Sequence, residues 1–488
     1  NKTKNICRRT KAAWIGLKGN RMLKNLYLMS GTDAFTKGWL DNVALTENAV
    51  CLEQAGGRYL LYGCFTSPEI RFPAFRELAV SWNAETPEGT VVEAQARVMV
   101  DGTWTNWMSF GKWSPYIDRR SAMQEAAKPA YIQGDTIHIP AGRANQAQLR
   151  VYLYTNDSQI TPLVRLLAAS VRPVEWHFEE GNPYGRLLRL PAYSQCNRDP
   201  VFSKSMSAPV SLASMINRWG QDVLPEELAW GMYDYNKGDC FNHAFMVALA
   251  GSYGYHAYRA YLDPAAIWQH IKAGNSVAVR MHYAADQEQA AQKGLPVLPG
   301  AFQNGEDHCM ALRGFALENG QTMVLVNDSL APTDQQAEHS YPAKEFWAAY
   351  SGEAIIITEK QKNQDQGCPV RRHAELKGLD QVGTYVFQTP SGQELPLKKD
   401  FCGTLTCTVK DGVAHATTAH KTFHYLTQTE NGAIQIPQSL LEVGGKITIY
   451  AISTSGSGLV GEVNVAGNAQ TAQETVLIRG LPGCKSMV

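Results

Sequence analysis

The stretch from Leu190 to Gly220, LPAYSQCNRDPVFSKSMSAPVSLASMINRWG, most narrows what this chain can fold into. A short extended run ends at Ser194 and Gln195, and a polar loop follows. Pro209 then suits the first position of a helix, because its φ is already helical and no N–H needs a partner there. Val210, Ala213, Met215 and Ile216 give an apolar stripe at helical spacing, and Gly220 is a C-terminal stop. Ser207 therefore falls at the N-terminal tip of a largely buried helix. Unpaired N–H groups at such a tip lower the pKa of a nucleophile and help to hold an anion.

The tracts on either side read as strands. Val92, Ala94, Ala96, Val98 and Val100 alternate with Glu93, Gln95, Arg97 and Met99, and Leu149, Val151 and Leu153 repeat the pattern. Turn signals at Gly56-Gly57, Asp101-Gly102 and between Pro140 and Gly142 separate them, and no helix of useful length intervenes. Residues 34–176 are expected to form an antiparallel β-sandwich, with 1–33 a basic or vector-derived segment and 177–188 a connector. Trp82, Trp104, Trp107 and Trp113 are expected to fill the sandwich and its contact with the next domain rather than to form a stacking platform. Residues 361–488 read as a small β-domain; His415, His420 and His424 there lack a carboxylate or thiolate in register and are taken as surface residues.

Residues 189–360 change character. Helices are expected from Pro225, from Ala244 to a stop at Gly251, from Asp263-Pro264 to Gly274, and from Ala343 to Tyr350. Strands are expected at Val277–Met281, His308–Leu317, Thr322–Asp328 and Glu353–Thr358, with 284–307 a long polar insertion. Helices first and sheet afterwards make an α+β domain. Formal net charge is zero, which removes any nucleic-acid footprint, and no run of eighteen apolar residues suggests a membrane span. The ten cysteines show no ligand spacing for zinc, so no metal and no cofactor is expected. Scattered cysteines fit reduced thiols and a cytoplasmic protein; the alternative is secretion, with a signal peptide missing from the sequence. Oligomeric state is left open.

Ser194-Gln195 followed by Ser207-Ala208-Pro209-Val210-Ser211 resembles the papain-like cysteine peptidases, in the bacterial branch related to the bacteriocin double-glycine leader peptidases. There a Gln precedes a Cys-x-Pro-x-Ser helix start; here Ser207 stands at the Cys position. SWNAETPEGT and DGTWTNWMSFGKWS resemble the sandwich domain found ahead of the peptidase in some of these proteins. The resemblance implies a papain-like domain behind that sandwich; with the strand pattern of 361–488, the expected fold is an α+β papain-like domain flanked by two mostly β, sandwich-like domains. It also implies a peptide or protein substrate and a triad of Ser207 as nucleophile, His308 as base and Asp328 as orienting carboxylate. Gln195 and the Ser207 N–H would bind the oxyanion. Asn242 would line the cleft, or equally cap a helix. Cys196 lies beside the oxyanion Gln, away from the helix tip, and is rejected as a relocated nucleophile.

Serine cannot form the thiolate–imidazolium pair of such a site. An engineered Cys-to-Ser change that traps an inactive enzyme is preferred over a natural serine. A catalytically dead peptide-binding module, and an acyl or peptidyl transferase on the same scaffold, remain alternatives. The triad also demands a register. A two-residue turn at Asn319-Gly320 would pair Ala311 with Asp328 and turn His308 to the opposite face. A three-residue loop, Glu318-Asn319-Gly320, or an equivalent bulge, would pair Met310 with Asp328 and keep His308 on the same face.

Overall fold

The computed structural model describes residues 21–358 other than 47, 123–128, 177, 179–180, 182, 184, 197, 199–202 and 222, and strand segments beyond 385. In the N-terminal part, Thr90–Val100 buries every second side chain, as its alternation dictates. It pairs antiparallel with Ala144–Thr155, from Thr90 opposite Thr155 to Val100 opposite Ala144. The two sheets that a sandwich would keep apart are joined here. Ile70–Glu85 pairs with Leu163–Pro173 along most of its length and crosses to Ala144–Thr155 at Ile70, Arg71 and Phe75. The result is one branched, fourteen-stranded sheet. A strand of 16 residues, roughly 50 Å long, can serve both halves.

The following part has a seven-stranded antiparallel sheet. Its main path runs His256–Tyr261, Tyr350–Thr358, Ser276–Tyr283, Gly305–Glu318, Gln321–Asn327, Glu338–Pro342. Period-two alternation sorts its two faces. Ala278, Cys309, Ala311, Ile355 and Ile357 pack under the helices Ser207–Asn217 and His243–Ser252. Val279, Met310, Leu312 and Ile356 pack with Ile267, Ile271 and Phe346 from Pro264–Ala273 and Ala343–Ala349. Asp263 caps the first of these, accepting from the Ala266 N–H at 2.7 Å, and left-handed Gly274 (φ 88°) ends it. The insertion after Ala284 is not loop throughout. Asp286 caps a helix, Gln287–Lys293, and Gly294 (φ 65°) stops it, a pair of signals hidden among polar residues.

One core joins the two parts. Trp82 and Trp113, both buried, lie 6.4 and 5.4 Å from the Phe245 ring. Asn83 donates to the Val247 and Ala257 carbonyls at 3.2 and 2.9 Å and accepts from the Ala257 N–H at 2.9 Å. Trp104 and Trp107 do otherwise than expected: both are half-buried among guanidinium groups. Arg97 covers both rings, at 4.6 and 4.9 Å, and Arg150 lies 4.3 Å from Trp107.

Gly251 also departs from expectation, for the helix runs through it to Ser252. A Cβ there would fall 2.6 to 2.8 Å from Asn83. The glycine is spent on close approach of sheet to helix, and it does not stop the helix. Gly251→Ala should lower the urea midpoint, at a cost of about 1–3 kcal/mol that outweighs the better helix propensity of alanine. An unchanged or higher midpoint would mean that the sheet can retreat.

Beyond 385, strands run from Val386–Gln388 to Gln473–Arg479, with Lys421–Thr427 parallel to Gln473–Arg479. His415, His420 and the side chain of His424 lie outside the described residues. No helix among the described residues is long and apolar enough to cross a membrane.

Candidate active site

The helix that begins at Ser207 is buried along its whole length. It starts two residues earlier than a proline at its first position would require. Met206 is the N-cap, and the first intrahelical bond runs from the Val210 N–H to the Met206 carbonyl. Pro209 has no N–H, so Ser207 and Ala208 carry the orphan donors of this tip. Two serines one turn apart fasten the helix to the strand that carries His308. Ser207 Oγ accepts the Cys309 N–H at 3.3 Å, and the Ser211 hydroxyl donates to the Cys309 carbonyl at 2.9 Å. Ser207 is thus locked beside the residue after His308.

His308 and Asp328 lie on one face of the hairpin and in contact, with Nε2 2.9 Å from Oδ1. The three-residue loop is not what achieves this. Asn319 and Gly320, both at positive φ, make a two-residue turn with Glu318 opposite Gln321. A bulge between Leu312 and Gly314 then shifts the register by one, so that Ala311 faces Asn327 and Met310 comes opposite Asp328. Gly314 sits at φ 151° where a Cβ would strike the Arg186 carbonyl, so the bulge needs glycine.

Asp328 is fully buried, and burial would push its carboxyl up. The His308 ring, the Tyr341 hydroxyl (2.6 Å to Oδ2) and the Leu330 N–H (3.0 Å to Oδ1) outweigh this and hold it below the ordinary value. An ionised carboxylate only accepts, so His308 Nε2 carries the proton and Nδ1 is left as an acceptor. Tyr341 was not legible as part of this site; no motif marks it, and it reaches Asp328 only because Glu338–Pro342 pairs beside Gln321–Asn327. Tyr341→Phe should cost about 1.5–3 kcal/mol by removing a hydrogen bond to a buried charge. Stability at pH 7 measured by denaturant titration checks this, and a change within error would show that water replaces the hydroxyl.

Gln195 joins the same cluster from the loop before the helix. Its N–H donates to the Ser329 carbonyl at 2.8 Å, its side-chain oxygen accepts from the Ser329 hydroxyl at 2.6 Å, and Nε2 donates to the Ser203 carbonyl at 2.9 Å. One Nε2 proton is engaged this way, and among the described residues the second has no partner. Arg198 pins the loop from beneath, 3.5 Å from Glu226 and 3.6 Å from Asp334, and Asp334 accepts the Ser194 N–H at 2.6 Å. Asn242 is a helix cap: its oxygen accepts from the Phe245 N–H at 3.1 Å and its amide donates to Asp234 at 2.9 Å. Cys196 is exposed, and its sulfur accepts from Gln303 at 3.6 Å. Cys240 and Cys309 are buried thiols that burial pushes up, Cys309 to about 12. No group of three or more His, Cys, Asp or Glu among the described residues is placed to hold a metal ion.

Residues 187–355 match the family model described as Peptidase_C39 like family, and residues 30–171 match the one described as Peptidase C39 N-terminal domain. No curated protein matches the chain. Among solved structures, one similarity is to TmCBM61 in complex with β-1,4-galactotriose: 10% identity over 30% of this chain and 83% of that one, TM-score 0.17. Another is to the CBM22-1-GH10 modules of Clostridium thermocellum xylanase 10B complexed with xylohexaose: 8% identity over 36% and 32%, TM-score 0.17. Likenesses this slight carry no argument.

Proposed function

We propose that residues 189–360 form a papain-like peptidase domain built for a cysteine nucleophile, with Ser207 in that nucleophile's place. The observation that carries this is the buried His308–Asp328 pair beside the tip of the Ser207 helix. The family match over 187–355 supports the reaction class. In this reading His308 Nδ1 takes the nucleophile's proton and later gives it to the leaving amine. Asp328 fixes the tautomer and stabilises the imidazolium, and Gln195 with the Ser207 N–H binds the oxyanion. All the protein must supply is a chain of proton and charge positions; no cofactor enters.

As written, the chain binds peptide and turns it over slowly, because a hydroxyl is not ionised near neutral pH. Hydrolysis of a peptide library by the Ser207→Cys variant tests the reading. In that background Asp328→Asn should lower kcat by on the order of 10²–10⁴, since the imidazole is no longer held in one tautomer. An unchanged kcat would remove Asp328 from the triad.

A further inference from the structure

We propose that the N-terminal sheet sets the geometry of His308 through an unbroken chain of ion pairs from Asp135 to Asp307, the residue before the histidine. The proposal rests on the peptidase-type reading of Ser207 and His308, and makes Asp135 a positioning residue.

Asp135 is buried just ahead of the strand Thr136–His138 in the first sheet. One of its oxygens accepts from Arg259 at 2.8 Å. The other accepts the N–H groups of His243 at 2.6 Å and Ala244 at 3.3 Å, the first turn of the helix that packs on this sheet. Arg259, fully buried, also donates to the Asp135 carbonyl and the Thr136 hydroxyl, and its Nε donates to Glu353. The other Glu353 oxygen accepts from Arg280 at 3.2 Å. Arg280 then grips both oxygens of Asp307, through Nε and through Nη2 at 2.8 Å.

Asp307 is the point of the device. Its φ of 64° is left-handed, a strained conformation for a residue other than glycine. The two-pronged grip of Arg280 and a bond from the Asp307 N–H to His282 Nδ1 (3.2 Å) hold it there. Because facing alternates along a strand, the backbone at 307 aims the side chain at 308.

The charges alternate, negative at Asp135, Glu353 and Asp307 and positive at Arg259 and Arg280. The array therefore ends on the Asp307 carboxylate, gripped by Arg280 one residue before His308. His243, kept neutral by burial, faces Glu353 at 3.9 Å, and Lys237 lends Asp135 further positive charge. Such a buried array stabilises a fold poorly compared with apolar packing of the same volume. Its route, from one domain to the residue beside the candidate base, is what gives it a use.

The test has two readouts. In the Ser207→Cys background, the rate of iodoacetamide alkylation against pH reports the thiolate–imidazolium pair without a substrate. In the chain as it stands, the ring ¹⁵N signals of His308 report its tautomer and charge. Asp135→Asn should slow alkylation about tenfold at pH 5, one unit of thiol pKa, with little change at pH 9 where the thiolate is complete. It should also move the His308 ring signals.

Asp307→Asn should give the same shift, and the double variant no more than either alone, since one chain is broken twice. Arg280→Lys, which keeps the charge and loses the two-pronged grip, should repeat the effect if Asp135→Asn does not fold. Asn83→Ala loosens the same contact between the two parts and should lower the unfolding midpoint while leaving both readouts alone. Additive effects, an equal shift from Asn83→Ala, or a folded Asp135→Asn with unchanged readouts would overturn the proposal. If Ser207→Cys itself shows no alkylation below neutral pH, the peptidase-type reading falls, and the His308 ring signals alone decide the relay.

Discussion

Ser207→Cys should give this chain a thiol that is alkylated below neutral pH and, with it, peptide hydrolysis. A free thiol ionises near ~8.5; the helix tip and the neighbouring imidazole both favour the thiolate. The other described cysteines provide an internal contrast, because burial raises the thiols of Cys51, Cys64, Cys240 and Cys309, and partial loss of water contact raises that of the exposed Cys196. At pH 5 to 6, mass spectrometry should place the label at position 207 ahead of these five. Loss of the nucleophile costs a hydrolase of this type up to ~10⁶ in kcat, so a gain on the order of 10³-fold is a conservative expectation. That gain is about 4 kcal/mol of transition-state stabilisation. Three results would point elsewhere. Fast hydrolysis by the serine chain, abolished by His308→Ala, would mean a natural serine hydrolase. Neither labelling nor hydrolysis by the cysteine variant would favour a binding module. Products with the mass of an amine adduct, when amines are added, would favour a transferase.

What the sequence made legible follows from which interactions are local. The Asp263 and Gly274 bounds are set by neighbours within four residues, and they were readable as such. The alternation of Thr90–Val100 is likewise local, and its facing follows directly. Gly251 misled because its constraint comes from Asn83, 168 positions away, and nothing in its own window distinguishes a stop from a close approach. The joining of the two halves of the first sheet depends on where Ile70–Glu85 meets Ala144–Thr155, which no window contains. The His308–Asp328 register was readable as a requirement but not as a mechanism. The need for an offset came from the alternation, whereas the choice of a bulge at Leu312–Gly314 came from the passage of Arg186 alongside. Tyr341 and the Asp135–Asp307 chain were invisible for the same reason: each is assembled from elements far apart in sequence.

Arg259→Met should destabilise the fold by about 3–5 kcal/mol at pH 7, because it leaves two buried carboxylates, Asp135 and Glu353, without the guanidinium that lies between them. The pH dependence separates this cause from lost packing. Burial would raise Asp135 and Glu353, but the guanidinium groups hold both below the ordinary carboxylate range, Arg259 foremost and, for Glu353, Arg280 next. Arg280 does the same for Asp307, and His308 for Asp328. The unfolded chain takes up these protons near pH ~4, so the stability they contribute is complete above that value and is lost as pH falls below it. Four histidines, His243 buried and the others half-buried, add an earlier loss. Burial lowers His138, His243, His256 and His282, whereas the unfolded chain protonates them near pH ~6.5, so stability begins to fall there on acidification. The parent chain should therefore lose urea midpoint in two legs, from about pH 6.5 and again from about pH 4. In Arg259→Met the two carboxylates, Glu353 left with Arg280 and Asp135 with the His243 and Ala244 N–H groups, protonate more readily than in the parent, which relieves the cost of burying them charged. The gap between the two proteins should be widest at neutral pH and narrow towards pH 4. A gap that stayed constant from pH 7 to pH 4 would mean that the variant loses only the packing of the Arg259 side chain.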